Sequence, residues 1–181
     1  MKIAIVVVVM VFAPSSAAAD RPEAWLFRAT PGFGYSWDRA STCPIEGRMF
    51  VGGFTIGNFV TPGLLVGGSL GLAVNALPAY GCGEDALRLT TAAMIGPSID
   101  WYPSDRGLHV FASAGYASGE QDMTTSHGIG ATLGVGYDWL AFAMANDART
   151  RLGVLAQLTA VRTGGSHATL APALLFTVGV D

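Results

Sequence analysis

Charge is what this sequence has least of. Only 13% of its 181 residues are Asp, Glu, Lys or Arg, about half the share usual in a soluble domain. Lysine occurs once, at Lys2, so every later basic residue is an arginine. A formal net charge of -3 supplies no basic surface for phosphates and argues against nucleic acid as a partner. The three histidines and two cysteines lack metal-ligand spacing, which excludes a metal site from the expectations. Long hydrophobic runs are also missing beyond the first segment. Gly, Pro, Arg or Asp interrupts each later one, leaving no candidate for a membrane-spanning helix.

What is abundant is apolar and small. Hydrophobic residues make up 51% of the chain, mean hydropathy is +0.44, and there are 24 glycines. Part of this lies at the N-terminus. Met1-Lys2 is followed by an apolar run from Ile3 to Ala13 and then "PSSAAAD", with Ala17 and Ala19 in the small positions before a cut. Residues 1–19 are therefore expected to be a cleaved secretory signal, with one domain over 20–181.

The remainder alternates. In "GIGATLGVGYDW" (Gly128 to Trp139), Gly128, Gly130, Thr132, Gly134, Gly136 and Asp138 share one face. Ile129, Ala131, Leu133, Val135, Tyr137 and Trp139 share the other. Period two is the signature of a β-strand. Seven further segments behave alike: "EAWLFRATPGFGYSW", "RMFVGGFTIGN", "LLVGGSLGLAV", "LRLTTAAMIGPSIDWY", "LHVFASAGYA", "LGVLAQLTAV" and "ATLAPALLFTVGV". The connections "DRASTCPIEG", "NALPAYGCGEDA" and "SGEQDMTTSH" read as long loops, whereas "NFVTPG", "PSDRG" and "NDART" read as short turns.

The side opposite the aliphatic face decides the solvent. In a soluble sheet it would meet water and carry Lys, Glu and Asp, but here it carries Gly, Ala, Ser and Thr. The aliphatic face therefore points to lipid, around a lumen with room for small side chains. Trp25, Trp37, Trp101 and Trp139 fall at strand ends on the aliphatic side, the placement of an interfacial aromatic girdle. The expected fold is all-β: an eight-stranded antiparallel up-and-down transmembrane β-barrel. Pro31, Pro97 and Pro172 lie within expected strands and predict bulges or frays.

With segments such as "GVGYDWLAF", "LGVLAQL" and "APALLFTVGV", the chain resembles the small eight-stranded outer-membrane β-barrel proteins of Gram-negative bacteria. The resemblance is architectural and spans the expected mature chain. It implies residence among outer-membrane lipid, insertion by the barrel-assembly machinery, and no cofactor. One departure is the final "VGVD", where such barrels usually end on an aromatic residue.

Cys43 and Cys82 fall in the first two long loops, on one side of the membrane, and an exported chain with two cysteines suggests a disulfide. Arg28, Asp100, Asp138 and His109 project into the lumen near its periplasmic end. Buried charges need partners, so an ion-paired plug is expected, extended by Arg88 and Gln157 and flanked by Phe111, Met94, Leu155 and Leu175 as obstacles to water. A gate or proton-linked pathway is the functional alternative. Ser126-His127 and Ser166-His167 are the only nucleophile–base candidates. Neighbours on a strand face opposite ways, so neither pair makes a dyad by itself, which leaves pairing between the two loops as the catalytic alternative.

The expectation is a non-enzymatic barrel displaying loops for surface interaction or supporting envelope integrity, with the loop partner unidentified. A narrow channel for small solutes or ions is the first alternative. A soluble lipocalin-like carrier, with the aliphatic face turned inward around an apolar ligand, is the second.

Overall fold

The computed structural model describes residues 25–38, 46–75, 90–103, 107–121, 124–143, 149–164 and 168–181. The expected signal, Cys43, Cys82, Arg88, Ser166 and His167 lie outside the described residues. The strands are β1 (Trp25–Ala29), β2 (Gly32–Asp38), β3 (Glu46–Thr61), β4 (Leu64–Asn75), β5 (Thr90–Trp101), β6 (Leu108–Gln121), β7 (Thr124–Ala143), β8 (Arg149–Thr163) and β9 (Ala168–Val180).

Every pairing is antiparallel. From β3 to β9 each strand pairs with the next, and β1 and β2 both pair with β3 on one side and β9 on the other. Across the break at Thr30–Pro31 the register does not move: Ala29 faces Phe54 and Gly32 faces Val51 on β3. On β9, Ala29 faces Val178 and Gly32 faces Leu175. β1 and β2 are thus two halves of one barrel strand, and the sheet closes into a ring of eight. Around the break, Thr30 N–H donates to Gly53 O at 2.9 Å and Phe176 N–H donates to Pro31 O at 2.8 Å.

The prolines act through their missing N–H, not through bulges. Pro31 produces the break. Pro97 keeps its pairing to Gly68 on β4, but the β5–β6 ladder skips Gly96 and Pro97 without changing register. Pro172 likewise leaves a gap in the β2–β9 ladder while staying opposite Leu158 on β8. The register shifts lie elsewhere, between Phe59 and Thr61 and between Leu140 and Phe142, beside turns.

One loop expectation is also corrected. "SGEQDMTTSH" is mostly paired strand: Ser118 faces His127 and Gln121 faces Thr124, so the β6–β7 hairpin extends well past the expected strand ends. Its Ser, Glu, Gln and Asp have turn chemistry, yet Thr124 and Thr125 are β-branched and the ladder continues through them. Similarly, β3 runs on to Thr61 and shortens its turn to Pro62–Gly63.

The two faces separate as the alternation requires. Ile129 and Leu133 on β7 are 70% and 64% exposed, while Thr132 between them is buried. Phe27, Phe33, Phe54, Leu72, Ile95, Leu158, Leu174 and Phe176 stand on the same outer wall. A carrier soluble in water would need these side chains inside, so the lipocalin-like alternative is overturned; an apolar wall of this extent calls for lipid. The ring is twofold in its ends. At one, the turn end, lie Pro62–Gly63, Gly107 and Asp181; at the other, the loop end, lie the last residues of β2, β4, β6 and β8.

Cross-strand glycines let the strands close. A Cβ on Gly96 would strike the Ala114 carbonyl and lie 2.6 Å from Gly115 Cα; one on Gly115 would strike the Ile95 carbonyl. Beside Gly71 the nearest atom, Met94 O, is 4.0 Å away. Gly96→Val or Gly115→Val should therefore lower the folded fraction sharply, and Gly71→Ala should leave it unchanged. Boiled and unboiled detergent extracts compared by gel mobility measure this fraction.

Candidate functional site

The inward side chains of the turn end converge on Arg28, which is 2% exposed. Its Nη1 donates to Asp100 Oδ2, and its Nη2 donates to the Tyr102 hydroxyl and, at 2.9 Å, to Asp138 Oδ2. Tyr102 in turn donates to Asp138 Oδ2 at 3.0 Å. Thr177 Oγ1 donates to Asp138 Oδ1 at 2.7 Å. His109 Nδ1 sits 2.6 Å from Asp100 Oδ1, and its ring stacks on Tyr102 with centroids 5.0 Å apart. The other ring nitrogen, Nε2, lies 3.7 Å from Asp138 Oδ1 with no hydrogen-bond partner among the described residues.

Several elements supply this network, and local chemistry aims them. Arg28 comes from β1, Asp100 from β5, His109 from β6, Asp138 from β7 and Thr177 from β9. Tyr102 follows β5 directly. Two turn glycines with positive φ hold two of the contributors. Gly63 (φ 80°) accepts from the Tyr102 N–H at 2.7 Å, and Gly107 (φ 81°) accepts from the Asp138 N–H at 2.9 Å. Both backbones are in the left-handed region that favours glycine. A second ion pair lies nearer the rim: Arg151 grips Asp181 through Nε (3.1 Å) and Nη2 (2.6 Å), with its guanidinium 6.0 Å from the Tyr102 ring centre.

Apolar layers bracket the charges. Leu26, Phe59, Leu65 and Tyr102 form a buried cluster on the turn side. Met49, Val51, Phe111, Leu155, Ala171 and Leu175 form another toward the loops. Between them the network is buried and tied strand to strand, which gives it the form of a plug. Beyond the plug a cavity of about 460 Å³ runs from Arg28 to Glu120, Ser126, Thr163 and Gly164 at the loop end. Gln157 lines this cavity and is not among the hydrogen-bond partners of the network.

Of the residues singled out from sequence, Arg28, Asp100, Asp138 and His109 meet in one cluster. Tyr102, Thr177 and the Arg151–Asp181 pair were not foreseen. Tyr102 and Thr177 have the inward parity of Asp100 and Gly179, which was the available signal. Trp25, Trp101 and Trp139 stand at the turn end and Trp37 at the loop end; Trp25, Trp37 and Trp101 are exposed and Trp139 is half-buried. Ser126 and His127 do not pair: Ser126 Oγ donates to Gly119 O at 3.3 Å, and His127 Nδ1 meets the Tyr116 hydroxyl at 2.6 Å. Among the described residues there is no group of three or more His, Cys, Asp or Glu able to hold a metal. No helix among them is long and apolar enough to cross a membrane.

No protein-family model and no curated protein matches the sequence. Solved structures do match. The attachment invasion locus protein Ail of Yersinia pestis, in complex with the heparin analogue sucrose octasulfate, superposes with a TM-score of 0.58 at 8% identity. The match covers 86% of this chain and 98% of that one. Neisserial surface protein A matches with a TM-score of 0.60 at 12% identity, over 86% of this chain and 96% of its own. The fold is that of the small eight-stranded outer-membrane β-barrels. At such identities the likeness extends to the architecture and not to any residue of the plug.

Removing one member of a buried ion network leaves the others buried without their partner. Arg28→Leu should cost about 3–5 kcal/mol, and adding Asp100→Asn and Asp138→Asn should recover much of that loss. Urea unfolding in lipid vesicles, followed by tryptophan fluorescence, gives both numbers.

Proposed function

We propose that this chain is a non-enzymatic, non-conducting barrel of the Gram-negative outer membrane that acts through its loop end, in surface interaction or envelope integrity. One observation carries the reading. The Arg28 network joins five strands across the lumen between two apolar layers, so the turn end is shut. That leaves the other end for a partner. In this reading the turn end is periplasmic, the signal delivers the chain through the inner membrane, and the assembly machinery inserts it. Ail, a neighbour in fold, is the attachment invasion locus protein of its organism; that supports a search for partners at the loops. The chemistry of such a partner is open.

A second reading, the narrow channel, draws on the cavity above the plug. Conduction would require Arg28 to part from both carboxylates, and each such bond is buried and charge-assisted. Reconstitution into planar bilayers separates the two readings. The purified barrel should give no discrete current steps, and cell fractionation should recover it in the outer membrane. Regular steps from the wild-type protein would replace the closed barrel with the channel.

A further inference from the structure

We infer that the lumen cavity is a binding cup for a small uncharged amphipathic solute, admitted from the loop end and stopped at Arg28. The inference rests on the closed turn end proposed above and adds a ligand class to it. Three observations carry it.

The first is room. About 460 Å³ lies within the range of small-molecule sites, and inward glycines make the space. Gly71 and Gly119 both line it, and Gly71 faces open lumen. The second is unspent hydrogen bonding. Ser69 and Ser113 also line the cavity, are 8% and 7% exposed, and have hydroxyls without a hydrogen-bond partner among the described residues. Some of the other lining hydroxyls are engaged: Thr132 with Thr159 at 3.0 Å, and Ser126 with Gly119 O. Buried polar groups left unpaired are costly, so a hydroxyl or carbonyl brought to these two serines gains what the fold alone does not supply.

The third is the character of the walls. Met49, Met94, Phe111 and Leu155 present an apolar surface, and methionine adapts its shape to an occupant. Charge is not welcomed. Arg28, the one cation lining the cavity among the described residues, is already held by two carboxylates and Tyr102. Glu120 stands at the rim. An anion would find no free partner, whereas an apolar body with one or two hydrogen-bonding atoms fits both walls and serines.

The test uses the full-length barrel in detergent micelles, with labelled methionine methyl groups observed by NMR and 1-hexanol as the probe. Hexanoate serves as the charged control. Hexanol should shift Met49 and Met94 saturably, and hexanoate should do so far more weakly. Gly71→Phe, which fills the cup, should abolish the shift. Ser69→Ala combined with Ser113→Ala should weaken binding about tenfold, the loss of two ordinary hydrogen bonds, and keeps the test decisive should Gly71→Phe fail to fold. A shift that rises without saturating, that is absent at Met49 and Met94, or that survives loss of both serines unchanged overturns the cup and leaves a merely hydrated lumen. Bilayer recordings report on the closed end separately: silence without saturable binding removes the cup alone, and current steps remove the closed end.

Discussion

In hydrocarbon a backbone amide without a partner costs several kcal/mol, and a sheet can satisfy all its amides only by having no edge. The closure of the first strand onto the last is therefore the constraint on which everything else here depends. It survives a proline. Pro31 removes one donor and splits the first barrel strand, yet the register on both neighbouring strands is the same on either side of the break. Thr30 and the Pro31 carbonyl remain bonded across it. Pro97 and Pro172 are placed with the same economy, each keeping one side of its ladder intact.

Closure by itself leaves the lumen to be filled, and this chain fills it in layers. At the turn end, side chains too polar for lipid are turned inward and satisfied by one another. The result joins β1, β5, β6, β7 and β9 around a single guanidinium. Planar, multiply donating arginine suits that task better than lysine would, and lysine is absent from the barrel altogether. Toward the loops the described lumen is lined by glycine, serine and threonine together with Met49, Met94, Phe111 and Leu155, and leaves a cavity. The barrel is thus asymmetric along its axis, sealed by charge at one end and roomy at the other.

Much of this was legible in the sequence because lipid imposes a strict code. Period-two alternation with small residues opposite aliphatic ones revealed both the strands and their outward face, as along Gly128 to Trp139. Inward charges are rare, so Arg28, Asp100, Asp138 and His109 stood out by parity alone. Tyr102 did not, because a tyrosine at a strand end reads as part of an interfacial belt. Thr177 did not either, since one inward hydroxyl looks like any other until its partner is known. The long β6–β7 hairpin was hidden for a tertiary reason: pairing across Ser118 to His127 overrides the turn chemistry of Glu120 and Gln121.

Which face meets lipid is the central claim, and leucine methyl groups can report it directly. The barrel would be reconstituted in lipid nanodiscs containing a nitroxide on the acyl chain, and the broadening of each leucine methyl signal measured. The account predicts strong broadening at Leu70, Leu72, Leu133, Leu158 and Leu174, which stand outside. It predicts sharp signals at Leu26, Leu65, Leu155 and Leu175, which are enclosed. Broadening of the second set with protection of the first would contradict it, because the sheet would then be folded with its aliphatic face inward.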